Sequence, residues 1–270
     1  MFGAQDPVRT TREGQEDMEI QGTRAVVVGG ASGMGRATAE RLATGGAKVV
    51  IVDRTADEGG KVAAGIGGSF YQADVTDHTG VESVLQQVVA ELGGLDIAVN
   101  TAGGGIAKRT LSKSGPHDLE SFTHIVNLNL ISTFNLNRLQ AWHMSQGEPN
   151  ADGERGVIIN TASIAAFEGQ IGQVAYTAAK AGIAGMALTM ARDLGSVGVR
   201  VLAIAPSLFD TGIVAGAPEE MIAPLVAGNA FPKRMGRPEE YAKLACAIVE
   251  NAMLNGQCLR LDAGMRFGPK

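Results

Sequence analysis

The sequence predicts an α/β fold, a doubly wound parallel sheet of about seven strands in a single domain. Short Val/Ile-rich runs recur along the chain, each is followed by a stretch with helical spacing of apolar residues, and glycines punctuate the joins. The strand runs, in order, are "AVVV" at 25, "KVVIV" at 48, "FYQADV" at 70, "LDIAVN" at 95, "GVIINTA" at 156, "RVLAIAP" at 200 and "CLRLD" at 258. Most are continuously apolar instead of alternating, as strands covered by helices on both faces must be. Between them lie segments such as "VESVLQQVVAEL", Val81 to Leu92, whose apolar positions repeat at helical period.

Composition agrees. The 270 residues are 45% hydrophobic and only 4% aromatic, with 37 glycines, which describes a core of Ala, Val, Ile and Leu around tight turns. A net charge of −5 and a pI near 5.4 argue against general attraction to phosphate backbones, so no nucleic-acid partner is expected. Cys246 and Cys258 read as reduced packing residues. His78, His117, His124 and His143 show no H-x-x-x-H spacing, and no metal is expected. No apolar run reaches the ~18 to 20 residues of a membrane span, and no targeting segment is legible, so a cytoplasmic location is expected. Residues 1–20 read as a flexible leader, within which Met18 is a second candidate start, and residues 21–270 as the folded domain. Two long connections follow the fourth and sixth strands: "GGGIAKRTLSKSGPHDLES", and a stretch that includes a candidate substrate loop, 207–232. Both leave carboxyl ends of strands, where open α/β sheets bind ligands.

The first turn, "VVVGGASGMGRATA", spaces Gly29, Gly33 and Gly35 as G-x-x-x-G-x-G between a strand and a helix. Glycine there lets the backbone and the helix amino terminus come close to a pyrophosphate. Asp53 ends the second strand 24 residues after Gly29, where a carboxylate accepts hydrogen bonds from an adenosine ribose and repels a 2′-phosphate. NAD is therefore the expected cofactor, in a Rossmann-type site; neighbouring Arg54, able to pair with a phosphate, is the competing feature. In "YTAAK", Tyr176 and Lys180 are four residues apart and share a helix face. An ammonium about 4 Å from a tyrosine, at an effective dielectric near 20, favours the phenolate by roughly 4 kcal/mol, about three pKa units before solvent screening. The expectation is a tyrosine usable as a base near neutral pH. Ser163 lies just beyond the strand in "GVIINTAS", 13 residues before Tyr176, where its hydroxyl can hold a substrate oxygen.

In this order and spacing, the glycine-rich turn, Asp53, Ser163, Tyr176 and Lys180 resemble the short-chain dehydrogenase/reductase family, over nearly everything after the leader. The resemblance implies that Tyr176 is the general acid/base, Ser163 orients the substrate oxygen, and Lys180 holds the nicotinamide ribose while lowering the tyrosine's pKa. It makes Asn129, in "NLNLISTFN", the anchor of a proton-relay water. It also implies cofactor contacts from Gly29, Ser32, Gly33, Met34 and Gly35, from Asp53, and from the "D-V" pair Asp74 and Val75. Asn100, Thr101, Ala102 and Gly103 of "NTAG" join them, as do Pro206, Phe209 and Thr211, besides Tyr176 and Lys180. The chain departs from the family pattern at Val28, where a hydroxyl-bearing threonine is usual, and at Thr101, which replaces a second asparagine. Ser132 and Ser207 each replace a glycine. If the turn at Ser207 needs a positive φ, a serine there costs roughly 1 to 2 kcal/mol.

Three further stretches, "GVIINTASIAAFEGQIGQVAY", "APSLFDT" and "FPKRMGRPEEYAKLACAIVEN", resemble the type-two branch of short-chain 3-hydroxyacyl-CoA dehydrogenases, some of which oxidise hydroxysteroids. That likeness implies reversible NAD-linked oxidation of a 3-hydroxyacyl thioester in fatty acid metabolism by a homotetramer. The small-molecule substrate is then acyl-CoA or steroid-like. The residues themselves leave more open. The loop after Ser207 suits a lid over an apolar body, or packing against a helix or subunit. Lys108, Arg109 and Lys113 suit CoA phosphates, or a solvated surface. Gln170 and Gln173, in the segment between the serine and the tyrosine, are candidate substrate contacts. A hydroxysteroid or secondary-alcohol dehydrogenase would carry the same motifs, and so would an NAD-binding scaffold with little catalysis.

Overall fold

The computed structural model describes residues 18–212 and 218–269. The chain runs β1 (Arg24–Val28), α1 (Gly33–Thr44), β2 (Lys48–Asp53), α2 (Ala56–Gly65), β3 (Ser69–Gln72), α3 (His78–Leu92) and β4 (Ile97–Asn100). A short hairpin, β5 (Leu111–Ser112) and β6 (Gly115–Pro116), leads to α4 (Leu119–Val126), a π-helical turn at Asn127–Ile131, and α5 (Ser132–Ser145). Then come β7 (Gly156–Thr161), α6 (Val174–Leu194), β8 (Val199–Pro206), α7 (Glu219–Val226), α8 (Pro238–Val249) and β9 (Cys258–Leu261).

All seven strand runs read from the sequence join one parallel sheet, in the order β3-β2-β1-β4-β7-β8-β9. The chain winds outward from β1 to β3, returns to β4, and winds the other way to β9. The reversal falls between β1 and β4, which creates the crevice where such sheets bind ligands. Register brings the strand ends level: Val28 lies opposite both Val52 and Asn100, and Asn100 opposite Asn160.

Successive strand residues enter opposite layers. Val27, Ile51, Val99, Ile159 and Leu202 pack with Leu42 of α1 and Tyr241 and Ile248 of α8. Val26, Val50, Ala98, Ile158 and Val201 pack with Leu85 and Val88 of α3 and Leu136 and Leu139 of α5. Both faces are therefore dry, which is why the strands read as unbroken apolar runs. Burying each such side chain stabilises the fold by about 1.5 to 3 kcal/mol.

Local signals place the helices. Asp77 caps α3 by accepting from the Gly80 amide at 3.0 Å, and Gly93 ends that helix in the left-handed region. Ser132, one of the departures, donates its hydroxyl to the Asn127 carbonyl at 2.8 Å, a bond that spans the π-turn.

Three expectations change. Ile20 is buried in the core and Met18 packs against it, so the folded unit begins ahead of residue 21; residues 1–17 of the expected leader lie outside the described residues. The connection after β4 is not a plain loop, since it carries β5, β6 and the capped helix α4. Ser207 carries no strain: among the described non-glycine residues only Ala263 has a positive φ. No helix among the described residues is long and apolar enough to cross a membrane.

Candidate active site

Gly29 leaves β1 with φ +85, and a Cβ there would stand 2.6 Å from the Ala102 nitrogen. Glycine is thus required both by conformation and by the closeness of the β4 exit. Thr211 lies over Gly33, where a Cβ would meet the Thr211 Cγ2 at 2.9 Å, so the segment after β8 crosses the first turn. Ser32, exposed at the start of α1, spends no side-chain bond on capping, and the helix has no acidic residue in its first turn. Its amino-terminal amides are therefore free of a competing anion. Met34 packs on the core.

Asp53 accepts from the Ala31 amide at 3.1 Å and from the Thr55 amide at 3.0 Å, tying the end of β2 to the glycine turn. Asp74 accepts from the Thr76 hydroxyl at 2.7 Å and the Thr76 amide at 2.8 Å, bonds that hold its carboxyl below the usual range. Arg54, the residue after Asp53, lines a groove of about 440 Å³ with Gln72 and Asp74. A close-approach turn, unspent helix amides, a carboxylate and an adjoining groove form a donor set that fits a dinucleotide.

Helix α6 sets Tyr176, half-buried, and Lys180, buried, on one face. The Lys180 ammonium lies 5.6 Å from the centre of the Tyr176 ring and donates to the Thr161 carbonyl at 2.8 Å. Ser163, just past β7, accepts from the Ala165 amide at 3.1 Å, and its hydroxyl interacts with that of Tyr176. Asn129 sits in the π-turn with its amide spent on backbone: it donates to Gly104 O at 2.8 Å and Ile125 O at 2.9 Å, and accepts from Gly104 N at 3.2 Å. A Cβ on Gly103 would stand 2.6 Å from Asn129 Oδ1 and 3.3 Å from Lys180 Nζ, and one on Gly105 3.2 Å from the Tyr176 ring. The glycines after β4 let the chain pass over these side chains.

The electrostatics correct one expectation. Burial raises the Tyr176 pKa above its ordinary value, more than the neighbouring Ser163 hydroxyl lowers it. Burial also pulls Lys180 down to about 8. Spacing put the ammonium near the ring, but it could not register how far packing would bury each group, and burial penalises phenolate and ammonium alike.

Other candidates divide. The side chains of Val75 and Phe209 enter the core, and Pro206 is the last residue of β8, so these positions offer mainly backbone to a ligand. Asn100 turns its amide away from the crevice, bonding Asn137 at 3.1 Å, Gln140 at 2.9 Å and Asn160 at 3.0 Å in a buried cluster. Gln170 and Gln173 are joined through the Gln170 amide and Gln173 Oε1 at 3.0 Å. Their segment is pinned by Arg260, which pairs bidentately with Glu168 at 2.8 and 2.9 Å and with Asp262 at 2.6 Å. Lys108 forms an ion pair with Asp118, whereas Arg109 and Lys113 are exposed.

Sequence reasoning missed Thr161 and Tyr241. The Tyr241 hydroxyl meets Thr161 Oγ1 at 2.7 Å, Thr161 Oγ1 donates to Asn100 O at 2.8 Å, and the Thr161 carbonyl holds Lys180. Thr161 stands two residues before Ser163 and was within reach of the motif, whereas nothing in α8 signals a tyrosine that supports the site from the far side of the sheet.

Comparison with known proteins places this architecture. The family model for short chain dehydrogenases matches residues 23–221. The 3-hydroxyacyl-CoA dehydrogenase type-2 of Drosophila melanogaster is 47% identical over 93% of this chain and 100% of its own length. The Homo sapiens protein of that name is 47% identical over 93% of this chain and 97% of its own. The crystal structure of 3-hydroxyacyl-CoA dehydrogenase type-2 from Mycobacterium avium superposes with a TM-score of 0.89 at 43% identity, covering 92% of this chain and 98% of that one. With these sequences, this sheet and this crevice, the chain belongs to the short-chain dehydrogenase family, whose members are oxidoreductases that use a nicotinamide cofactor.

Proposed function

We propose that the protein is an NAD-dependent 3-hydroxyacyl-CoA dehydrogenase that interconverts 3-hydroxyacyl-CoA and 3-oxoacyl-CoA. The observation that carries this reading is the convergence of Ser163, Tyr176 and Lys180 beside the glycine turn, in a chain nearly half identical to type-2 enzymes over almost their whole length. Bound nicotinamide supplies the hydride acceptor. Ser163 holds the substrate hydroxyl, Tyr176 Oη takes its proton, and Lys180, anchored on Thr161 beside the Tyr176 ring, would hold the nicotinamide ribose. Asp53 supports NAD over NADP, because its carboxylate repels a 2′-phosphate.

Exposed Met221 and Leu225 on α7, with Phe231 after it, supply an apolar cover for an acyl chain, and Arg109 and Lys113 supply cations for CoA phosphates. A homotetramer is supported by exposed Phe134 and Trp142 on α5, Val174 and Leu188 on α6, and the open edge of the sheet at β9. Fatty acid metabolism in the cytoplasm is part of the same proposal.

A panel of 3-hydroxyacyl-CoA esters, hydroxysteroids and simple secondary alcohols, assayed with NAD and NADP, tests it. The highest kcat/KM is expected for a 3-hydroxyacyl-CoA ester with NAD. Faster turnover of a steroid or alcohol would replace the substrate assignment, and no turnover of any would favour the scaffold reading.

A further inference from the structure

We infer that Thr101 is a positioning residue whose hydroxyl holds the glycine turn at a set distance from the proton-transfer residues. The inference rests on the reading that the glycine turn binds the dinucleotide. A threonine hydroxyl carries one proton, and here two consecutive carbonyls face it: Val28 O at 3.0 Å and Gly29 O at 3.1 Å. The backbone repeats the attachment, with the Thr101 and Ala102 amides donating to Val28 O at 2.8 and 3.2 Å. The end of β4 is thus fastened to the end of β1 by main chain and side chain together.

The oxygen fits a slot made for it. A Cβ on Gly29 would stand 2.6 Å from Thr101 Oγ1, and one on Gly35 would stand 2.5 Å from it. The hydroxyl therefore fills the space that the first and last glycines of the turn leave open, touching the turn from behind, at the start of α1.

On the other side, Thr101 leads directly into residues 102–105. Gly103 passes against Asn129 and Lys180, and Gly105 against the Tyr176 ring. One hydroxyl consequently links the backbone that would meet a pyrophosphate to the segment lying over the proton-transfer groups. Val28 is buried in the core and supplies no side-chain hydroxyl to this attachment, so the side-chain link comes from Thr101. Without it only the main-chain bonds to Val28 O hold β4 to β1, Gly29 O loses its side-chain anchor, and a dinucleotide held by its phosphates would lose its register with Tyr176.

Calorimetric titration of NAD into the full-length protein and its Thr101→Val, Thr101→Ser and Thr101→Ala variants tests this, with melting curves taken without cofactor. Thr101→Val keeps the shape and removes the hydroxyl, and is expected to weaken NAD binding about tenfold, with kcat also reduced. Thr101→Ser restores the hydroxyl and is expected to recover most of the affinity even though it loses the methyl. Should the valine variant fail to fold, the serine and alanine variants give the same contrast. Equal NAD affinity in valine and wild-type proteins, or a serine variant as weak as valine, overturns the role of the hydroxyl. Wild-type protein that binds no NAD overturns the cofactor reading itself, and the inference with it.

Discussion

Lys180 holds its ammonium 5.6 Å from the centre of the Tyr176 ring, the lysine buried and the tyrosine half-buried. At neutral pH the raised tyrosine is a phenol, suited to give a proton when a ketone is reduced. Oxidation needs the phenolate. Its kcat/KM is expected to climb with pH between 7 and 9, while reduction stays nearly flat; pH profiles in both directions check this.

Tyr176→Phe removes the proton acceptor and keeps the ring. Turnover is expected to fall by about 10²- to 10⁴-fold, the usual worth of a positioned acid/base group, with NAD binding weakened far less. Unchanged turnover would point to a different base.

The lysine makes a separate prediction about stability. A cation whose folded pKa, about 8, lies below its unfolded value near 10.4 destabilises the fold while protonated in both states. That penalty is fully present below pH 8 and is lost as pH rises toward 10.4. Wild type should therefore gain about 3 kcal/mol relative to Lys180→Met across this window. Urea unfolding at a series of pH values measures the slope, and a constant difference between the two proteins would contradict it.

Asp53→Ala removes the ribose acceptor and also the brace on Ala31. KM for NAD is expected to rise, and the preference for NAD over NADP to shrink by about tenfold or more. Wild-type kcat/KM with NADP equal to or above that with NAD would reject the role given to the carboxylate.

Neutralising Arg109 and Lys113 is expected to raise KM for a 3-hydroxyacyl-CoA ester several-fold while sparing the matching thioester of N-acetylcysteamine. Lys108 was expected to act with them, but its ion pair with Asp118 makes it a brace of the loop instead. Equal effects on both substrates would remove the pair from CoA recognition.

Arg260→Met cuts the bonds that pin the segment between Ser163 and Tyr176 to β9. The four charges Glu168, Arg260, Asp262 and Arg266 lie together, and loss of the central one should cost about 1 to 3 kcal/mol of stability. KM for substrate should rise more than KM for NAD, and thermal melting with steady-state kinetics measures both.

The amino-acid sequence by itself determined the layers, the strands and the helix face that Tyr176 and Lys180 share. Each of these follows from short-range periodicity, and "AVVV" or "YTAAK" carries its period wherever it folds. It also marked Gly29, because a tight turn leading into a helix demands that residue locally. Tertiary structure alone decided that Asn100 faces an amide cluster instead of the crevice, that Thr161 and Tyr241 support Lys180, and that Thr101 fastens the glycine turn. It also decided the sense of the two pKa shifts. Those outcomes depend on which distant segments arrive beside a group and how much water they displace, and desolvation is a property of the packed surroundings that no spacing of letters encodes.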